Sequence, residues 1–99
     1  MKSIYTHNHR DLNESTIIDF YNSVQASVHQ LLPGAGRDLD VAYRGKLYVV
    51  EVKRTKTSRL TVLEKTFKAW CERNNIPYNI VWDIKSAGQA IGVVIESVA

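Results

Sequence analysis

The chain has 99 residues, 44% hydrophobic and 23% charged, which is enough for one core and too little for two. No apolar run approaches a membrane span, the start MKSIYTHNHR lacks the apolar stretch of a signal peptide, and a single cysteine, Cys71, excludes an internal disulfide. Thirteen Lys and Arg against ten Asp and Glu leave a mild net charge of +3, and the expectation is a cytoplasmic protein.

Residues 1–11 read as a polar lead-in, followed by a single domain over residues 12–99. From Asn13 the pattern turns helical. Ile17, Ile18, Tyr21, Val24 and Val28 recur at helical spacing, with Asn13 placed as N-cap and Glu14 in the first turn. Pro33-Gly34-Ala35-Gly36 must break whatever precedes it. Two β-type runs, 39–43 and 46–53, flank Arg44-Gly45, and a two-residue connection containing Gly between such runs predicts a tight hairpin. The polar stretch 54–59 is then a loop. Thr61-Val62-Leu63-Glu64 has the capping-box pattern T-x-x-E and opens a second helix, whose apolar stripe includes Leu63, Phe67, Trp70 and Cys71. Phe67 and Trp70 are assigned to the core. Asn74-Asn75 ends that helix, Ile76-Pro77 leads into a strand over 78–82, and Ser86 caps a last helix reaching about Ser97. The predicted order is α-β-β-α-β-α, an α/β layer with helices on a small mixed sheet.

The hairpin fixes a register. With Arg44-Gly45 as the turn, Asp40 falls opposite Val49 and Asp38 opposite Glu51, so Asp38, Asp40, Glu51 and Lys53 share one face. Two carboxylates facing each other are destabilising unless something compensates, and a divalent cation does so naturally. Mg²⁺ takes one or two carboxylates, keeps several waters and draws its remaining contacts from substrate phosphate. Asp38 and Glu51 are therefore candidate ligands, with the carbonyl of Val52 as a further one. Lys53 is placed to hold a phosphate or to orient an attacking water. The plain alternative is a Glu51–Lys53 surface ion pair in an ordinary α/β domain. Asp40 is an alternative ligand to Asp38. Six basic residues between Lys53 and Lys68 suit phosphate neutralisation, and Arg37, Lys53, Arg54, Lys56, Arg59 and Lys65 are the candidate nucleic-acid contacts.

Gly36-Arg37-Asp38-Leu39, then Gly45, then Val50-Glu51-Val52-Lys53, resembles the G-x-P-D-L … G … (I/V)-E-x-K signature of the PD-(D/E)XK nuclease superfamily. Leu60-Thr61-x-x-Glu64, with Phe67, Trp70 and Ile76-Pro77-Tyr78 after it, is similar to the corresponding tract of the VRR-NUC branch. The resemblance spans about half of the chain. It implies a restriction-endonuclease-like core and Mg²⁺- or Mn²⁺-dependent cleavage of DNA phosphodiesters, at branched or flap structures such as Holliday junctions. It also implies a homodimer, and a phage- or bacterium-encoded source. Carried over by position, it makes Asp38 and Glu51 metal ligands and Lys53 the phosphate- or water-positioning base. Glu14 matches an early family glutamate that faces the metal, although a first-turn carboxylate also answers to the helix dipole alone. Arg37 stands where the family has proline. Glu64 replaces the usual glutamine, and either adds a carboxylate to the site or serves only as the capping partner of Thr61. The short interval from Glu14 to Asp38 implies a reduced or absent first strand. A non-catalytic nucleic-acid-binding or assembly module with the same fold is the competing reading.

Overall fold

The computed structural model describes residues 8–95, with side chains from residue 13 onward. Along the chain these residues form α1 (Asn8–Ser23), β1 (Ser27–Gln30), β2 (Leu39–Tyr43), β3 (Lys46–Val52), α2 (Val62–Arg73), β4 (Tyr78–Val81) and α3 (Ile84–Ile91). The result is a small α/β domain with a four-stranded mixed sheet. Its order, α-β-β-β-α-β-α, has one strand more than the sequence pattern predicts.

That strand is hidden by a helix stop without a glycine. Helix α1 begins at Asn8, inside the stretch read as a lead-in, so Asn13 and Glu14 are interior rather than cap and first turn. The helix ends at Ser23 because Gln25 adopts φ +69°, and the Ala26 N–H turns back to the Tyr21 carbonyl at 3.0 Å. Glycine normally marks such a left-handed turn, and glutamine gives no signal of it. Val28, which fits the helical spacing, lies instead in edge strand β1 and packs against the core.

The sheet runs β1-β2-β3-β4, with β1/β2 and β2/β3 antiparallel and β3/β4 parallel. The β2/β3 hairpin forms as predicted. Arg44 (φ +51°) and Gly45 (φ +80°) both occupy the left-handed region, the signature of a type I′ turn whose twist matches the flanking strands. Strand β3 has a neighbour on each side, and its end Val50-Glu51-Val52 is buried, while Leu47 near its start is exposed.

One face of the sheet carries the core. Leu39, Val41, Val50, Val52 and Val81 meet Ile17 and Tyr21 of α1 and Ala87 and Ile91 of α3. The Tyr21 hydroxyl donates to the Ala87 carbonyl at 2.9 Å, so its buried polar end is satisfied. Helix α3 is capped by Asp83 rather than by Ser86, which is its capping-box partner. Gly92 (φ +82°) ends it well short of Ser97, a residue that itself lies outside those described. Helix α2 covers the opposite face and carries the predicted capping box between Thr61 and Glu64. It meets the sheet chiefly at β4, so only Cys71 is fully buried. Trp70, assigned to the core from its spacing, is 47% exposed. No helix among the described residues is long and apolar enough to cross a membrane.

Candidate active site

The hairpin register is the one derived from the two-residue turn, from Tyr43↔Lys46 through Asp40↔Val49 to Leu39↔Val50. Asp38 stands one step past the last regular pair. Its N–H donates to the Val50 carbonyl (3.1 Å), its carbonyl accepts from Leu31 (2.9 Å), and its carboxylate accepts from the Val52 N–H (2.9 Å). A side chain thus takes over from the backbone as the partner of β3, which fixes the Asp38 carboxylate beside Glu51. Asp38 is 5% exposed and Glu51 2%.

Lys53 extends from the end of β3 toward two acids. Its Nζ lies 2.8 Å from Glu64 Oε1 and 3.5 Å from Glu51 Oε2. Glu64 is held by its helix: Oε1 also accepts the Thr61 N–H at 2.8 Å, while the Glu64 N–H donates to the Thr61 hydroxyl at 3.2 Å. The capping box therefore does two jobs, ending the loop and aiming a carboxylate at Lys53. The remaining oxygen, Glu51 Oε1, is buried with no hydrogen-bond partner among the described residues. An orphaned carboxylate oxygen is costly in a low-dielectric site. Burial, the hydrogen bond to Glu64 and the charges of Asp38 and Glu64 push the Glu51 carboxyl up to about 9, against the lowering influence of Lys53. Burial also acts to raise Glu64, but hydrogen bonds from Glu51, Lys53 and Thr61 outweigh it and the carboxyl sits below its usual range. The two shifts run in opposite directions, so Glu51 keeps its proton more readily than Glu64 does.

Two clefts open onto this cluster. One of about 270 Å³ is lined by Glu51, Lys53, Arg54, Ser58 and Glu64. The other, of about 320 Å³, includes Arg37, Asp38, Thr61 and Glu64. Glu64 and Thr61 line both, so the tip of α2 separates the approach to Asp38 from the approach to Glu51 and Lys53.

The loop before Asp38 is pinned from below. The Tyr78 hydroxyl donates to the Gly36 carbonyl at 2.7 Å, and Gly36 sits at φ +86° against α2. A Cβ there would lie 2.6 Å from Phe67 Cβ and 3.3 Å from the Leu63 carbonyl. Gly36→Ala is expected to destabilise the fold by about 2–3 kcal/mol, through positive-φ strain plus the clash. In a domain of this size that lowers Tm by roughly 10–20 °C. A thermal melt checks it; a Tm within two degrees or so of the parent would show that the loop is not held in this way.

The other expected residues divide. Asp40 is held in a bidentate pair with Arg37 (2.9 and 3.0 Å), which occupies both of its carboxylate oxygens in this arrangement. Arg37, a candidate nucleic-acid contact, is fastened to that carboxylate and lies 4.6 Å over the Phe67 ring. Glu14 is buried but lines a different concavity with Ser15, Asp19 and Gln30, whose side-chain amide donates to it at 3.3 Å. Val52 contributes its N–H to Asp38. Arg54, Lys56, Arg59 and Lys65 are all exposed, and among the described residues none of the four is in an ion pair. Asn13 was not foreseen here. Its side-chain amide donates to the Lys53 carbonyl at 2.6 Å, tying α1 to the backbone of the site; with the cap assignment mistaken, no pattern pointed to it.

Among the described residues, no three His, Cys, Asp or Glu side chains converge as a ready-made metal cage. Mg²⁺ does not require one, since two carboxylates plus substrate oxygens and water suffice. Two adjacent buried carboxylates, one with an orphaned oxygen, are an acceptable donor set for such a hard cation. Comparison of the chain with protein-family models, with curated proteins and with solved structures finds no match.

Proposed function

We propose that the chain is a Mg²⁺-dependent DNA endonuclease of the PD-(D/E)XK superfamily, VRR-NUC branch, with a restriction-endonuclease-like core. The observation that carries this reading is the buried acid pair Asp38–Glu51, with its orphaned Glu51 Oε1, next to Lys53 and an exposed basic loop. Asp38 and Glu51 would hold the cation, and Mn²⁺ would substitute for Mg²⁺. Bound there, the cation would supply Lewis acidity at the phosphate and lower the pKa of the attacking water.

The protein's own groups do the rest. Val52 N–H holds the Asp38 carboxylate in one orientation, so the ligand is set before substrate arrives. Lys53, exchanging Glu64 for a non-bridging phosphate oxygen, stabilises charge that grows in the transition state. Arg54, Lys56, Arg59 and Lys65 meet flanking phosphates without reading sequence. Branched or flap DNA, Holliday junctions included, is the substrate expected for this reading, and a homodimer its functional form. The competing reading, a non-catalytic binding module of the same fold, draws support from the Lys53–Glu64 ion pair, which satisfies the Lys53 ammonium without a substrate phosphate.

Incubation with four-way, flap and linear DNA in Mg²⁺ or Mn²⁺ separates the two. Cleavage of the branched forms is expected, and Asp38→Ala should slow it by about 10²–10³-fold. Binding with no cleavage in either cation would favour the binding module; cleavage undiminished in Asp38→Ala would sink the site assignment.

A further inference from the structure

The cleft at Asp38 does not stop at the catalytic cluster. It runs on, through the shared walls of Gly34, Gly36 and Leu63, into a second groove of about 430 Å³ along the outer face of α2. That groove is predominantly apolar, includes Phe67, Trp70 and Arg73, and has no acidic residue in its lining.

Its rings are already ordered. Arg37 lies 4.6 Å over Phe67, and Phe67 stacks with Trp70 at 5.5 Å between centroids and 24° between planes. Tyr78 buttresses Phe67 edge-on at 6.0 Å. The run of contacts ends at Trp70, whose indole is 47% exposed, with Arg73 one helical turn further on and in no ion pair among the described residues. A large aromatic surface left open beside a guanidinium, with no carboxylate in the lining of the groove, is complementary to a base and its phosphate. A second copy docking through the same patch would bring two Arg73 side chains together with no acid in the groove to compensate.

We propose that this groove takes an unpaired nucleobase of the substrate strand, stacked on Trp70, with the adjoining phosphate at Arg73. Trp70 lies six positions after Glu64, about 9 Å along the helix at its usual rise. At the spacing of a stacked strand that is two to three nucleotides. The site thus selects DNA in which two or three nucleotides beside the scissile phosphate have left the duplex. This rests on the nuclease reading for its polarity along the strand, but its binding step needs no cation.

The test uses that independence. In EDTA, a DNA hairpin with a three-nucleotide unpaired tail and the same hairpin with a blunt end are titrated into the protein. Anisotropy of a dye on the DNA reports binding, and indole emission is followed in a Trp82→Phe background, which leaves Trp70 as the single tryptophan of the two in the chain. Saturable quenching by the tailed DNA is expected, with affinity about tenfold above the blunt form. Trp70→Ala should abolish that preference and Trp70→Phe retain most of it. Trp70 is half exposed, so each variant is expected to fold, and circular dichroism is the check. Equal affinities without quenching would overturn the proposal. So would sedimentation showing a parent dimer that Trp70→Ala splits, because the groove would then belong to a second copy. A tail preference that persists in a protein that cleaves nothing in Mg²⁺ supports the groove and removes the nuclease reading.

Discussion

Glu51→Gln is expected to abolish DNA cleavage and, at the same time, to make the metal-free protein more stable at pH 8. The carboxyl is 2% exposed, lacks a partner for Oε1 and faces two further acids. Its pKa of about 9 means that the folded chain binds this proton more tightly than the unfolded chain does. That contribution is complete below the ordinary glutamate pKa and is lost as pH climbs from there toward 9. An amide of the same shape is neutral at every pH and keeps a donor for Glu64. The variant should therefore gain on the order of 3–5 kcal/mol at pH 8 and under about 1 kcal/mol at pH 5. Glu64, shifted the opposite way, titrates below its ordinary value and does not disturb this window. Mg²⁺ should stabilise the parent more at pH 8.5 than at pH 6, because it replaces a proton that must leave. Equal melting curves for parent and variant at pH 8 would show that Glu51 is not under this strain. Loss of activity with gain of stability is the mark of a group retained for chemistry rather than for folding.

Lys53→Met should behave in the opposite way for stability and alike for activity. Removing the ammonium strips Glu64 of its ion-pair partner at 2.8 Å and takes away the cation, 3.5 Å from Glu51, that opposes the rise of the Glu51 carboxyl. Lys53 is 14% exposed, so solvent screens part of the loss, and about 2 kcal/mol is expected at pH 8. Cleavage should fall by about 10²–10³-fold, the usual consequence of deleting a donor to developing charge. Added Mg²⁺ should restore part of the Tm without restoring cleavage, which separates the structural service of Lys53 from its catalytic one. Recovery of both by Mg²⁺ would make Lys53 a placeholder for the cation and nothing more.

The hairpin was the most legible part of the sequence because local rules determine it. Arg44-Gly45 sets the turn type, the turn sets the register, and the register brings Asp38 to the end of β3 next to Glu51. The T-x-x-E box likewise placed α2 correctly and brought Glu64 to Lys53. What escaped was decided by tertiary context. Gln25 adopts a left-handed conformation that its side chain does not advertise, so the sequence pattern runs on through β1 as if helical and shows Asn13 as a cap. Asp40 and Asp38 share a parity, and only the Arg37 guanidinium tells them apart. Trp70 matched an apolar stripe, but α2 rests chiefly on one strand and leaves that side of the helix open. Periodicity reports which face is apolar; it does not report whether anything covers it.

A divalent-cation site at Asp38 and Glu51 can be put to the test by calorimetric titration of Mn²⁺ into the DNA-free protein at pH 8. Saturable binding is expected, with release of protons, a raised Tm and loss of the binding in Glu51→Gln. Binding that survives Glu51→Gln unchanged, or none at millimolar Mn²⁺, would contradict it.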